Sequence, residues 1–278
     1  MKLSVAIAGE NALPSAFVVF RGFRESIEKA ARLGYQGVEL ALKSHTEIHL
    51  TQLRKWLSDA QIEVSAVSTG QVFADLGLSF TDEREAIRDK AVEVFRGLVD
   101  IAGEFGGRIN IGRVRGGIAP EQTPSQAKAL FCDTINRICE HTTNNGVRIM
   151  IEPVNRYEIN FINNLDEAAA LISETCPTLR LMPDVFHMNI EDAGIPENLK
   201  KHIHLIEYIH LADSNRMAPG WGHLDFEAIL AALRDAGFDG WASVEITPHP
   251  DPDTAAAQAA ATLLPLIQKY SEKESRPS

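Results

Sequence analysis

Cysteine is scarce in this chain: Cys132, Cys139 and Cys176 are the three among 278 residues, and no two stand in a Cys-x-x-Cys pair. An odd total without ligand spacing argues against a thiolate metal site, and the three are expected as reduced thiols buried as small hydrophobes. Positive charge is also in deficit. A formal net charge of −11 argues against a sequence-independent grip on nucleic acid, which depends on a basic surface. No apolar run reaches the ~20 residues that a membrane helix needs. The opening MKLSVAIAGENALPSAF has no convincing small-residue cleavage site after its short apolar run, so Leu3 to Ala8 reads as a strand and the cytoplasm is the expected location. A Pro/Ser-rich linker and a quotable internal repeat are missing as well. So is GxGxxG: the first turn reads AGENAL, which disfavours a doubly wound nucleotide-binding sheet.

What the chain does have is a 45% hydrophobic content, ample for a core, in apolar runs that alternate with segments of helical periodicity. Strands are expected at Leu3–Ala8, around GVEL, at Ile62–Val67, RINIG, Val147–Ile151, Leu179–Pro183, up to His210 and up to Glu245. Helices are expected at Phe23–Leu33, Glu47–Ala60, Asp82–Glu104, Pro124–Asn144, Leu165–Thr175, Phe226–Ala236 and Thr254–Tyr270, with Ile190–Lys201 irregular and Ser68–Phe80 a long loop. Eight strand–helix units in ~250 residues describe an α/β protein of the (β/α)8 TIM-barrel class, a single domain over residues 1–270 with a polar tail at 271–278.

The most informative stretch is VRIMIEPVNRYE, residues 147–158. Its apolar run is bounded by Pro153, which forces the chain out of the strand and leaves Glu152 on the C-terminal lip. The same pattern recurs at Asp184, His210 and Glu245, at intervals of 32, 26 and 35 residues, close to the ~31 residues of one βα unit. Glu, Asp, His and Glu form an O/O/N/O donor set suited to one divalent ion such as Mn²⁺, Co²⁺ or Mg²⁺, with Zn²⁺ also compatible. Such an ion acidifies the C–H next to the carbonyl of a bound α-hydroxycarbonyl, and Glu152 and Glu245 could act as the acid/base pair at that carbon. Arg113 and Arg115 in GRVRGG at the fourth strand's exit suit an anionic or polyhydroxyl group. Glu39 in GVEL falls near a strand end on the same lip.

At these residues the sequence resembles the xylose isomerase-like TIM-barrel superfamily, and within it the ketose 3-epimerases of the D-tagatose 3-epimerase type. IEPVNRYE, PDVFHMNIED, HLADSNRMAPGWGHLDF and GWASVEI carry the resemblance over Val147 to Glu245, and GYQGVEL extends it loosely to the N-terminal half. The resemblance implies Glu152, Asp184, His210 and Glu245 as metal ligands, with Glu152 and Glu245 transferring protons. It implies Glu158, His187 and Arg216 as contacts to substrate oxygens, a small-molecule sugar as substrate, and association of barrels into homo-oligomers. The IGRVRGG exit departs from the free-ketose pattern and hints at a phosphorylated, carboxylated or glycosidic substrate.

Three alternatives stand beside a metal-dependent sugar isomerase or epimerase. Hydroxypyruvate isomerases and inosose dehydratases keep the same ligands. An endonuclease IV-like enzyme needs extra histidines at the third and fourth strand exits, where this chain has SerThrGly and GlyArgVal. A non-catalytic sugar-binding barrel could carry a complete ligand set without turnover.

Overall fold

The computed structural model describes residues 1–142, 146–176 and 178–271. Eight strands form the sheet: β1 (Lys2–Ala8), β2 (Gly37–Ala41), β3 (Glu63–Ser68), β4 (Arg108–Ile111), β5 (Arg148–Ile151), β6 (Leu179–Leu181), β7 (Tyr208–Leu211) and β8 (Trp241–Val244). Their order is β6-β5-β4-β3-β2-β1-β8-β7, every ladder parallel. The remaining seam, between β6 and β7, is closed by two isolated parallel bridges, Leu181 to Ile206 and Asp184 to His210. The result is a (β/α)8 barrel. A two-residue strand, Phe20–Arg21, pairs with the end of β1 in the loop that follows it.

Parallel strands buried on both faces need near-continuous apolar runs, and β5 (RIMI) and β7 (YIHL) have them. The outward side chains, among them Val5, Leu40, Ile149, Leu181 and Val244, join the main core beneath the surrounding helices. The barrel interior is a separate and smaller apolar cluster of Ala66, Met150, Met182, Tyr208 and Trp241. Trp241 at its floor requires Gly37 opposite, where a Cβ would stand 2.7 Å from the indole Cη2.

The helices are α1 (Phe23–Arg32), α2 (Leu50–Ala60), α3 (Gly70–Leu76), α4 (Glu85–Gly103), α5 (Pro124–Thr142), α6 (Leu165–Ile172), α7 (Val185–Glu191), α8 (Ile195–His202), α9 (Phe226–Asp235) and α10 (Pro252–Ser271). Caps explain several boundaries: Asn164 accepts from the Glu167 amide at 2.9 Å to start α6, and Asp225 from Ala228 at 2.9 Å to start α9. Two expectations change. The long loop after β3 holds α3, and the segment expected to be irregular between residues 190 and 201 is shared by two regular helices, α7 and α8, separated at Gly194. None of the helices among the described residues is long and apolar enough to cross a membrane. From residue 272 onward, the expected polar tail lies outside the described residues.

The cysteine expectation is corrected. Cys139 on α5 and Cys176 beyond α6 form a disulfide, their Cα atoms 6.3 Å apart, while Cys132 remains free. Packing of α5 beside the turn into β6 brings together two residues 37 positions apart, a proximity that linear spacing alone does not reveal.

Candidate metal centre and active site

The four strand-end residues converge. Glu152 follows β5, Asp184 stands two residues beyond Met182 at the exit of β6, His210 is in β7, and Glu245 follows β8. Each offers one ligand atom, and these atoms all lie within 4.8 Å of one another. Gly112, at the exit of β4, makes room for the cluster, since a Cβ there would meet Glu152 Oε2 at 2.8 Å.

The two oxygens of Asp184 have different fates. Oδ1 accepts from the Phe186 amide at 2.8 Å and caps α7, whereas Oδ2 is buried without a hydrogen-bond partner. A buried carboxylate oxygen is rarely left so. With three carboxylates and an imidazole at the focus, the residues fit a hard divalent ion.

Burial pushes Glu245 up to about 8 and Asp184 up to about 6, against the pull of His210 and Arg216. For His210, burial favours the neutral ring, but the charges of Glu39 and Glu245 and hydrogen bonds to Glu152 and Glu39 outweigh it, raising the ring well above the usual histidine range. His210 Nδ1 lies 3.2 Å from Glu152 Oε1 and 3.7 Å from Glu245 Oε2. This nitrogen faces the focus, and a cation bound there takes the place of its proton.

Around the four lies the rest of the pocket, lined by Glu158, His187, Arg216, Arg113, Asn110 and Phe17 among others. Arg216 has a left-handed backbone, φ 60°, in a non-glycine residue, a conformation that surrounding structure must enforce. Here Thr247 does so: its amide donates to the Arg216 carbonyl at 2.8 Å and its hydroxyl at 3.0 Å. The Arg216 guanidinium donates to Glu245 at 2.7 Å and Glu158 at 3.2 Å, and its Cζ stands 3.8 Å from the centre of the Phe17 ring and 4.8 Å from that of Phe186. His187 Nε2 accepts from Arg216 at 3.2 Å. Burial and the charges of Arg216 and Arg115 hold His187 well below the usual histidine range, so its ring is neutral.

The two arginines of GRVRGG part company. Arg113 lines the pocket, 5.9 Å from the Phe17 ring centre, and among the described residues has no ion-pair partner. Arg115 does not reach the pocket, which corrects its expected substrate contact. It is fully buried and donates to the carbonyls of Phe161 and Ile162 at 2.8 Å and of Gly112 and Glu152 at 2.9 Å. Four of the five N–H donors of this guanidinium are thus spent on backbone carbonyls. Trp221 is partly buried and packs against the core.

Three lining or supporting residues carry no role in the sequence reading. Asn110 donates to Glu152 Oε2 at 3.3 Å and accepts from the Thr69 amide at 2.9 Å. Phe17 stacks on Arg216, and Glu39 contacts His210 from below. A polar residue inside an apolar strand, as in RINI and GVELA, is the signal that could have found the first and third.

The family model described as the xylose isomerase-like TIM barrel matches residues 27–266. The chain belongs to this family. Among curated relatives, the L-ribulose 3-epimerase of Methylomonas sp. (strain DH-1) is 29% identical over 226 residues, 79% of this chain and 76% of that protein. The 3-dehydro-D-guloside 4-epimerase of Escherichia coli (strain K12) is 30% identical over 119 residues, 42% of this chain and 45% of that protein. Among solved structures, a D-psicose 3-epimerase crystallised in the presence of D-fructose superimposes with a TM-score of 0.81 at 23% identity, covering 96% of this chain and 99% of that one.

Proposed function

We propose that this member of the family is a divalent-metal-dependent sugar epimerase that inverts a carbon next to a carbonyl by proton transfer between Glu152 and Glu245. The observation that carries the reading is the convergence of Glu152, Asp184, His210 and Glu245 on one point, with Asp184 Oδ2 left for a cation. The curated relatives that act on sugars as 3-epimerases support the reaction class. Mn²⁺, Co²⁺ and Mg²⁺ suit the oxygen-rich set. When bound, the ion supplies positive charge beside the substrate's carbonyl and hydroxyl oxygens and so stabilises the negative charge that develops there.

The chain's own residues do the rest. One glutamate removes the proton from the carbon, giving an enediolate, and the other returns a proton to the opposite face. Arg216 donates to Glu245 and Asn110 to Glu152, which holds each carboxylate in place for transfer. Glu158, neutral His187 and Arg216 orient the substrate's oxygens, and Phe17 with Val18 provides an apolar wall against water.

Arg113 favours a second, narrower reading. A half-buried guanidinium in the pocket without an ion-pair partner suits a carboxylate, phosphate or glycosidic extension at the far end of the sugar, and one relative acts on a guloside. Deuterium wash-in followed by NMR tests both. The Mn²⁺-loaded protein is incubated in D₂O with free ketoses, ketose phosphates, keto acids and 3-ketoglycosides. Exchange beside the carbonyl, abolished by a chelator, is the expected result, and the substrate that exchanges fastest chooses between the readings. Silence across the panel with metal bound overturns the epimerase assignment.

A further inference from the structure

Beneath the metal focus the barrel interior carries a buried carboxylate that the proton-transfer scheme does not use. Barrel interiors are ordinarily filled by layers of branched aliphatic side chains, and a buried charge survives only when it is paired and hydrogen-bonded. Glu39, in the middle of β2, is fully buried. It is flanked in register by Ala6 on β1 and Ala66 on β3, two side chains small enough to let a glutamate extend across the barrel. Its oxygens lie 3.0 and 2.9 Å from His210 Nε2, and Tyr208 donates its hydroxyl to Oε2 at 2.9 Å.

That hydroxyl is itself held, 3.0 Å from Ser4 Oγ and 2.7 Å from Ser65 Oγ. Ser65 is available because the β2–β3 register shifts between Val38 and Glu39, so that Val64 pairs with Val38, Ala66 with Glu39, and Ser65 is left over. Bulges are unusual in parallel ladders and recur beside functional sites, where they re-aim a side chain. Sequence position, register shift and hydrogen bonds all serve one contact, that of Glu39 with Nε2.

An imidazole that donates Nε2–H to a carboxylate has its other nitrogen, Nδ1, left for a ligand. We infer that Glu39, carried on the Tyr208–Ser4–Ser65 hydroxyl cluster, is the positioning residue that fixes the ring of His210 with Nδ1 toward the metal. This inference rests on the metal site proposed above. It assigns a role to a residue on a strand, β2, that carries none of the four ligands, which follow or lie in β5 to β8.

The test is metal affinity, read by competition with a chromophoric chelator, together with the visible absorption of the Co²⁺-loaded protein. Glu39→Gln should bind Mn²⁺ and Co²⁺ about 10–100-fold more weakly than the parent, and its Co²⁺ bands should shift, since the ring is no longer held in one tautomer. Tyr208→Phe keeps the ring and removes only the hydroxyl, so it should move both readouts in the same direction by less. It also serves if Glu39→Gln does not fold. A purely structural Glu39 would lower the melting temperature of the metal-free protein and leave affinity and spectrum alone. Affinities within twofold of the parent and unshifted bands, in Glu39→Gln or, if it does not fold, in Tyr208→Phe, overturn the inference by itself. A parent that binds neither metal overturns the site, and this inference with it.

Discussion

At the N-terminal end of the barrel, Glu207 lies 2.8 Å from Arg108 and 2.6 Å from Arg148, and Lys2 meets Glu63 at 2.6 Å. At the opposite end, Glu152, Glu158, Asp184 and Glu245 share the single guanidinium of Arg216 and the ring of His210. The lower charges are partly exposed and every carboxylate there has a cation, whereas the upper carboxylates are mostly buried and outnumber their cationic partners. Partly exposed, matched pairs contribute modestly to stability. A buried excess of carboxylates costs stability, and it is retained where a cation and a reaction make use of it.

Breaking the upper end should have the largest effect. Glu152→Gln and Glu245→Gln should each lower the deuterium exchange rate by roughly 10²–10⁴-fold, the usual contribution of a positioned acid or base, while the circular dichroism spectrum stays that of the parent. Near-parental exchange in both removes them from proton transfer.

The two arginines sharpen the contrast next. Arg115→Ala leaves four carbonyls at the β4 and β5 exits without their donor and should cost about 3 kcal/mol in denaturant unfolding. Arg113→Ala should stay within about 0.5 kcal/mol of the parent and register instead as a raised KM for anionic sugars. Equal destabilisation by both would erase the distinction between them.

Metal loading comes third. Mn²⁺ at a hundredfold excess over its Kd should stabilise the protein by about 2.7 kcal/mol, with an opposite pH dependence in the two forms. Glu245 and Asp184 have folded pKa values raised to about 8 and about 6, so the metal-free protein holds protons there that the unfolded chain releases. Its stability from these groups is full below the ordinary carboxylate range and is lost as pH rises through about 6 and then about 8. The ion must displace the same protons, so its affinity should climb with pH and level off above about 8. A pH-independent Kd between 5 and 8 contradicts this account. At the lower end, Glu207→Ala should cost about 1 kcal/mol and leave metal affinity unchanged.

Much of this was legible in the chain itself, and the limits have physical causes. Glu152, Asp184, His210 and Glu245 could be read because an apolar strand ending in a polar residue repeats at the length of one βα unit. Arg113 and Arg115 could not be told apart. They sit two residues apart in one short 3₁₀ turn, and which one faces the pocket depends on where the carbonyls of Phe161 and Ile162 fall. Glu39, expected near the lip, stands instead at the middle of β2, and its partner His210 is 171 positions away and is brought to it by barrel closure alone. The disulfide between Cys139 and Cys176 has the same origin, a neighbourhood created by packing.

The seam between β6 and β7 has a consequence for how the molecule assembles. This junction is made by two isolated bridges, and one of them joins Asp184 to His210, two of the four residues that converge on the proposed metal centre. The closing joint of the barrel and the proposed metal centre are therefore the same piece of architecture. A metal bound at this centre would tie β6 to β7 across a joint that the backbone fastens with two bridges alone. Amide hydrogens along β6 and β7 should then exchange with solvent more slowly once manganese is bound, with those of β1 to β3 scarcely altered.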